Sequence, residues 1–134
     1  MAAQQLMEST TQTLSNLVAV YGTLKRGLSN HELLQHASFV GEDCLTCITL
    51  YDLGPYPGAR FEHSEGIDVE VYAVDELQLQ QLDALEEYLA TAPDQGMYDR
   101  RQVLTKFGRA WIYLYNREVD QKRALRSGAW QPNC

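Results

Sequence analysis

The chain has 134 residues, of which 45% are hydrophobic, and this is enough to form the core of one domain. No run of 18 apolar residues occurs, which argues against a transmembrane helix. The formal net charge is −7 and no basic face is evident, so we expect neither nucleic acid nor an anionic membrane surface as a partner.

The first 16 residues are rich in Gln, Ser and Thr. They bury too little apolar surface to offset the entropy of ordering, so residues 1–16 are predicted to form a mobile tail. They also lack the basic and apolar regions of a signal peptide. The three cysteines do not suit a secreted disulfide scaffold, and we therefore expect a reducing, cytoplasmic location.

The predicted fold begins with a short buried strand at residues 17–21. Asn30 is the candidate N-cap of a short helix that reaches about residue 37. One or two strands are predicted between residues 39 and 53. The Gly- and Pro-rich stretch that follows, residues 54–58, is predicted to be a loop without regular structure.

Apolar and polar residues alternate over residues 67–73, which predicts a strand with Ala73 on its buried face and Tyr72 on its polar face. Asp75 then caps a predicted helix that runs to about residue 89. Gln78 stands at the capping-box position of this helix.

Two strands at residues 98–105 and 110–115 flank a short turn and predict a hairpin. Several strands and two helices without regular βαβ alternation indicate an α+β fold. Residues 17–134 are therefore predicted to form a single domain.

The first candidate site is the loop YGTLKRG at residues 21–27, directly after the first strand. Gly22 lets the chain turn and lets a ligand approach the backbone closely. Successive free N–H groups in such a turn form an anion-binding nest. The alternative is a tight turn with no ligand.

The same loop nearly matches a phosphate-binding P-loop. Gly22, Gly27 and Ser29 have the required spacing, but Leu28 stands where the phosphate-binding lysine belongs. Without that cation the charge of a nucleotide γ-phosphate is unmatched, so we do not expect nucleotide binding.

The second candidate is Glu86, near the end of the predicted helix. Helical spacing places four leucines in one apolar stripe: Leu79, Leu82, Leu85 and Leu89. Glu86 lies beside this stripe, whereas Glu87 lies on the solvated face. Desolvation at the core edge would raise the pKa of the Glu86 carboxyl toward the value that a general acid–base needs. The alternative is a boundary glutamate that reaches water along its stem.

Cysteine and histidine give no comparable signal. Cys44 and Cys47 have CxxC spacing, but no second pair of ligands follows, so we predict two small residues of the core. His31 and His36 do not share a helical face. We therefore expect no metal site.

Three motifs in fixed order resemble one known family. They are YGTLKRG at residues 21–27, LDALE at residues 82–86 and YDRR at residues 98–101. YDLGPYPGA at residues 51–59 and SGAW at residues 127–130 extend the match. Over nearly the whole chain outside the tail, the sequence resembles the γ-glutamylcyclotransferase-like family, which includes γ-glutamylamine cyclotransferases and AIG2-like proteins.

The resemblance implies an α+β fold in which helices flank a small mixed β-barrel. It also implies an enzyme, a cyclotransferase whose partner is a small γ-glutamyl amide. The substrate's own α-amino group attacks the γ-carbonyl group, and 5-oxoproline and an amine are released. Such a reaction needs no metal and no cofactor.

The resemblance also assigns roles to individual residues. The family's acid–base glutamate corresponds to Glu86. The substrate-binding residues correspond to the loop and to the YDRR strand, namely Tyr21, Gly22, Thr23, Leu24 and Tyr98. Two departures bear on the identity of the substrate. Glu87 stands where relatives often have glycine, and residues 88–97 form a longer insertion than in the shortest relatives.

Two other functions stay open at this point. A non-catalytic binding module for a γ-glutamyl or related metabolite would keep the same pocket, and only detection of product separates it from an enzyme. A structural barrel with YGTL as a simple turn would bind no small molecule and would tolerate the loss of Glu86.

Overall fold

The computed structural model describes residues 16–132. The strands of this part are β1 (Asn16–Val20), β2 (Ser38–Leu45), β3 (Thr49–Asp52), β4 (Pro57–Arg60), β5 (Gly66–Val74), β6 (Tyr98–Thr105), β7 (Gly108–Tyr115), β8 (Ala124–Leu125) and β9 (Ser127–Gly128). Helix α1 spans Glu76–Leu85, and two 3₁₀ helices span His31–Leu34 and Gln121–Arg123. Asn16 opens β1, and the rest of the predicted tail lies outside the described residues.

All of these strands belong to one mixed sheet with the order β2-β5-β1-β7-β4-β3-β8, in which β6 also pairs with β7 and β9 with β5. Strand β1 pairs antiparallel with β5 and parallel with β7. The segment 124–128 contributes β8 to β3 and β9 to β5, so it bridges the two sides of the curled sheet. This architecture confirms the predicted α+β class with a mixed, curled sheet.

Both faces of β1 are buried, because its side chains alternate between two hydrophobic clusters. Ala19, together with Tyr21 just after the strand, belongs to the cluster inside the curled sheet. Val18 and Val20 belong to the cluster that includes the apolar face of α1. The alternation therefore ends with the Tyr21 side chain inside the sheet.

The alternation predicted for residues 67–73 holds up to Val71 and fails beyond it. Tyr72 is buried in the cluster beneath α1, although it was predicted to face solvent, and its hydroxyl donates to Glu70 at 2.9 Å. Ala73 is partly exposed rather than buried. Tyr72 is covered because the second face of β5 packs into a cluster that includes Leu34 of the first 3₁₀ helix and Leu79 and Leu82 of α1, and its ring also lies against His31 and Phe39.

The predicted capping box is present at the start of α1. The Asp75 carboxylate accepts the Gln78 N–H at 2.7 Å, and the Gln78 side chain accepts the Asp75 N–H at 2.9 Å. Each side chain thus satisfies a backbone donor that the first helical turn leaves unpaired.

The helix is shorter than predicted, because it ends at Leu85 rather than near Leu89. Of the predicted stripe, Leu79 and Leu82 are buried, whereas Leu85 and Leu89 are exposed. Leu89 lies beyond the helix, where helical periodicity no longer applies, and Leu85, the last helical residue, lines an open cavity instead of the core.

The predicted loop at residues 54–58 contains the start of a strand. Pro57 and Gly58 belong to β4, which pairs with β3 and β7. A Cβ at position 58 would lie 2.6 Å from the Cβ of Tyr115, so glycine lets the two strands pack closely. The short strands β8 and β9, in a segment with no predicted element, were also missed.

Asn30 is the N-cap residue, as predicted, but the helix that follows is a 3₁₀ helix and the Asn30 side chain makes no capping bond; it donates to Thr23 instead. The prediction for the two cysteines was wrong. Cys44 and Cys47 are exposed rather than part of the core. The reason is that Cys44 belongs to β2, which lies at one end of the strand order and is largely exposed, and that Cys47 lies in the turn between β2 and β3. In residues 16–132 no helix is long and apolar enough to cross a membrane.

Candidate active site

A cavity of about 240 Å³ lies between the end of β1, the end of α1 and the start of β6. Its walls include every residue that the resemblance assigned to the site, namely Tyr21, Gly22, Thr23, Leu24, Glu86 and Tyr98. The fold therefore brings together residues that lie far apart in the sequence.

The loop after β1 turns at Gly22, where a side chain would not fit. A Cβ at this position would lie 2.9 Å from ring atoms of Pro57. Asn30 holds the next residue, because its N–H donates to the Thr23 carbonyl at 2.9 Å and its Nδ2 donates to Thr23 Oγ1 at 2.8 Å. Within residues 16–132, the N–H groups of Gly22, Thr23 and Leu24 donate to no protein acceptor, so they are available to an anionic ligand.

Tyr21 and Tyr98 are buried walls of the cavity, and both hydroxyl groups are used within the protein. The Tyr21 hydroxyl donates to the Tyr113 carbonyl at 2.6 Å and accepts the Ala59 N–H at 3.2 Å. The Tyr98 hydroxyl donates to the Pro57 carbonyl at 2.8 Å. Burial raises the pKa of both phenols, so they stay protonated at neutral pH and shape the cavity without carrying protons.

Glu86 is the C-cap residue of α1, and its N–H donates to the Leu82 carbonyl at 3.0 Å. Burial raises the pKa of its carboxyl from 4.5 to about 7. The neighbouring hydroxyls of Tyr21, Tyr98 and Tyr113 all donate to other acceptors. The carboxyl thus lies at the core edge, as its helical phase predicted, with no donor from these three phenols to stabilise its charge.

Glu87 has a left-handed backbone, with φ of +54°. Its N–H donates to the Ala84 carbonyl at 3.3 Å, and the Tyr88 N–H donates to the Asp83 carbonyl at 2.9 Å, which together form a Schellman motif. Glycine adopts this conformation with the least strain, so a glycine suits this position. The Glu87 side chain is exposed, as predicted from its helical phase.

The insertion at residues 88–97 is held by two residues that the sequence did not reveal. Asn116 Nδ2 and Arg117 Nη1 both donate to the Gly96 carbonyl at 3.1 Å. Gly96 packs directly against Glu87, since a Cβ there would lie 2.2 Å from the Glu87 carbonyl oxygen. The insertion is therefore anchored at the end of β7 and against the last turn of α1.

Sequence reasoning also missed Asn30 and Tyr113 as parts of the site. Asn30 orders the loop through Thr23, and Tyr113 lines the cavity and holds Tyr21. Alternating aromatic residues in β7 were the one signal for Tyr113, and such stripes are more often core or wall than catalytic.

The cavity lining offers the Glu86 carboxyl, backbone groups of the loop, and the side-chain hydroxyl and amide groups of Thr23, Tyr56 and Asn30. Within residues 16–132, no three His, Cys, Asp or Glu side chains converge where they could hold a metal ion. His31, which follows the loop, bonds through Nδ1 to the Leu24 carbonyl at 2.9 Å.

Comparison with known proteins places this chain in a family. The family model for γ-glutamyl cyclotransferase, AIG2-like proteins matches residues 18–132. The chain belongs to this family, and the resemblance seen in the sequence is confirmed.

Three relatives show the extent of the similarity. A protein of Vibrio cholerae is 42% identical over 118 residues, which are 87% of this chain and 96% of that one. The γ-L-glutamyl-butirosin B γ-glutamyl cyclotransferase of Niallia circulans is 35% identical over 104 residues, 74% of this chain and 66% of that enzyme. The crystal structure of a mouse AIG2-like protein matches with a TM-score of 0.69 at 26% identity, over 88% of this chain and 89% of that one. The predictions of the fold and of a cyclotransferase-type enzyme are confirmed.

Proposed function

We propose that this protein converts γ-glutamyl amides into 5-oxoproline and a free amine, and that Glu86 carries the proton. The main support is a carboxyl with a pKa of about 7 in a cavity whose loop offers free backbone N–H groups. The name of the Niallia circulans relative supports a γ-glutamyl compound as the substrate.

The loop at residues 21–24 would bind the γ-glutamyl part of the substrate. Among residues 16–132, no Lys, Arg or His side chain lines the cavity, so backbone donors are the source of positive potential that this part of the chain supplies. The N–H groups of Gly22, Thr23 and Leu24 would donate to the α-carboxylate. Tyr98, whose ring is fixed by its bond to the Pro57 carbonyl, would contact the aliphatic part of the glutamyl chain.

The reaction needs one proton carrier. The ionised Glu86 carboxyl takes a proton from the substrate's α-ammonium group, and the freed amine attacks the γ-carbonyl carbon. A five-membered lactam forms, the bond from that carbon to the amide nitrogen breaks, and Glu86 returns its proton to the leaving nitrogen. The second proton that the attacking nitrogen loses goes to the freed amine, which leaves as an ammonium ion, so Glu86 ends ionised as it began. A carboxyl with a pKa near 7 suits both transfers, because neither is steeply uphill. Nucleophile and electrophile belong to one molecule, so positioning supplies much of the acceleration.

The test is detection of product from a panel of γ-glutamyl amides. The leaving groups are an alkylamine, a diamine, an amino acid and a dipeptide, and 5-oxoproline and free amine are quantified by chromatography. We expect equimolar 5-oxoproline and amine from at least one compound, and loss of both with Glu86→Gln while calorimetry still detects binding. Binding to the parent protein without 5-oxoproline would contradict turnover and favour a binding module.

We also propose the cytoplasm as the compartment in which the protein acts. Cys44 and Cys47 are free and exposed, and such thiols persist in a reducing environment. Cell fractionation tests this, and recovery in a secreted fraction would contradict it.

A further inference from the structure

Asp83 lies on α1 one turn before Glu86 and accepts hydrogen bonds from two strands. Arg100 Nη1 of β6 donates to Asp83 Oδ2 at 2.7 Å, and the Tyr113 hydroxyl of β7 donates to Oδ1 at 2.7 Å. The side chains of Asp83 and Arg100 are only 20% and 16% exposed. This carboxylate therefore joins the last turn of α1 to both strands behind the cavity.

Arg100 is held in place by aromatic rings as well as by Asp83. Its guanidinium carbon lies 4.4 Å from the ring centre of Trp111 and 4.9 Å from that of Tyr88. Among residues 16–132, Asp83 is the one carboxylate within ion-pair distance of Arg100. Removing the charge of Asp83 would leave a half-buried cation without a counter-ion beside the end of α1.

Tyr113 connects this ion pair to the loop on the other side of the cavity. Its hydroxyl is bound by Asp83, and its backbone carbonyl accepts the Tyr21 hydroxyl at 2.6 Å. A continuous chain of contacts thus runs from the helix turn that carries Glu86 to the first residue of the substrate-binding loop.

Three phenols face Glu86: Tyr21 from the end of β1, Tyr98 from β6 and Tyr113 from β7. Two of them donate to backbone carbonyls, and the third, Tyr113, donates to Asp83. Of the three groups that accept these hydroxyls, Asp83 is therefore the one that a side-chain substitution can remove. It also pairs with the Arg100 cation of β6, while Glu87 on the solvent side is exposed.

We propose that Asp83 is a positioning residue for the cyclotransferase reaction. Its carboxylate holds the Tyr113 hydroxyl and the Arg100 charge away from Glu86, and it joins α1 to the sheet. This inference rests on the proposed role of Glu86. Asp83 does not touch the substrate; it sets where the Glu86 carboxyl lies and how strongly that carboxyl holds its proton.

A purely structural ion pair and a positioning residue predict different results for Asp83→Asn. If the ion pair between Asp83 and Arg100 is purely structural, its loss lowers only the stability of the fold. Loss of the positioning residue leaves Arg100 uncompensated, which favours ionised Glu86 and moves its titration to lower pH, by about half a unit or more. Misplacement of the carboxyl also lowers kcat by about tenfold to a hundredfold, with KM little changed.

The experiment compares Asp83→Asn with Asp52→Asn, a matched control on the other side of the sheet. Asp52 likewise accepts from several groups, including Gly54 N–H and Trp130 Nε1, and lies near Arg123. The Glu86 carboxyl is titrated by ¹³C NMR without substrate, with Glu86→Gln identifying its resonance. The kinetics use the panel compound that the parent protein turns over fastest, and thermal unfolding confirms that each variant is folded.

We expect Asp83→Asn to lower kcat and to move the Glu86 titration to lower pH, and Asp52→Asn to do neither. An unchanged titration and kcat in folded Asp83→Asn would overturn the proposal. If Asp83→Asn does not fold, Tyr113→Phe replaces it as the test. This variant keeps the ion pair between Asp83 and Arg100 but loses the hydrogen bond from Tyr113 to Asp83. An unchanged kcat in Tyr113→Phe would also overturn the proposal. The two proposals can fail independently. The NMR titration tests the role of Asp83 and needs no turnover, whereas a Glu86→Gln protein that keeps its activity would contradict the proposed function.

Discussion

Glu86 and Glu87 are adjacent in the chain, yet their carboxyls lie in opposite environments. Glu86 keeps a helical backbone, with φ of −84°, and its carboxyl is buried beside the cavity. Glu87 turns to φ of +54° and its side chain is exposed. One reversal of backbone dihedral angle at the end of α1 thus separates a carboxyl suited to proton transfer from a solvated one.

The first prediction uses these neighbours as a matched pair. Glu86→Gln keeps the shape of the side chain but cannot exchange a proton, so the rate of 5-oxoproline release should fall by about 10²–10⁴-fold or more. Glu87→Gln should leave kcat/KM nearly unchanged and should alter the free energy of unfolding by no more than about 0.5 kcal/mol. Parental turnover by Glu86→Gln, or an inactive Glu87→Gln, would show that the assignment is wrong.

The second prediction concerns the dependence of stability on pH. The folded-state pKa of Glu86, about 7, lies above its ordinary value of 4.5, so the folded state holds this proton more tightly than the unfolded chain does. The contribution of Glu86 to stability is therefore fully present below about pH 4.5 and is lost as the pH rises to about 7. Glu86→Gln cannot lose a proton, so its stability does not fall in this pH range for this reason. The difference in free energy of unfolding between Glu86→Gln and the parent protein should therefore be more favourable to the variant at pH 8 than at pH 4.5, by up to about 3 kcal/mol.

Urea unfolding at the two pH values measures this difference. Glu87→Gln is the matched control, because it removes the adjacent carboxyl at an exposed position. A stability gain of Glu86→Gln that is equal at both values would mean that Glu86 titrates like an exposed glutamate.

The third prediction follows from the left-handed backbone at position 87. Glu87→Gly should stabilise the fold by about 1 kcal/mol, because it relieves the strain of a side chain at φ of +54°. Gln80→Gly, at an exposed position within α1, should instead destabilise it by about 1 kcal/mol. Urea unfolding compares the two variants. Destabilisation by both would argue against this conformation of Glu87.

The fourth prediction tests the turn of the substrate-binding loop. Gly22→Ala places a Cβ 2.9 Å from Pro57, so the loop must shift, and kcat/KM should fall by about tenfold to a hundredfold. Gly27→Ala is the comparison, since Gly27 has φ of +82° and a Cβ added there would meet no atom within 4 Å. It should lose about 1 kcal/mol of stability but keep its activity. Equal activity in both variants would mean that the Gly22 turn does not shape the site.

The fifth prediction is that the cysteines do not take part in turnover. Cys44 and Cys47 are exposed, and no step of the proposed reaction uses a thiolate. The double variant Cys44→Ala/Cys47→Ala should release 5-oxoproline at the parental rate. Peptide mapping after maleimide treatment of the native protein should show both thiols labelled. A folded but inactive double variant would favour a redox role.

Local patterns predicted the parts of the site that depend on neighbouring residues. The phase of Glu86 and Glu87 is correct although the helix ends early, because the C-cap residue keeps a near-helical backbone. The capping box at Asp75 and the hairpin of β6 and β7 depend on short-range bonds and were predicted for the same reason.

The missed features depend on contacts between distant residues. Tyr113 acts on the site through Tyr21, which lies 92 positions away, and no periodicity signals such a bond. Strand β4 begins with Pro57 and Gly58, poor strand formers, and it exists because β3 and β7 pair with it on both sides. The exposure of Cys44 follows from the place of β2 in the sheet, which composition does not reveal.

The place of β1 in the sheet has a consequence for how the chain folds as it is synthesised. Strand β1 pairs with β5 and with β7, which both come later in the chain. Among the residues described, only the segment 124–128 bridges the two sides of the curled sheet. The loop at residues 21–24 therefore leaves the ribosome well before Tyr98 and Tyr113, its partners around the cavity, have been made. A high sequence separation of contacts slows folding. We expect the nascent chain to form the cavity only after residues 124–128 have emerged from the ribosome, and truncation before residue 124 to leave an unclosed, aggregation-prone sheet.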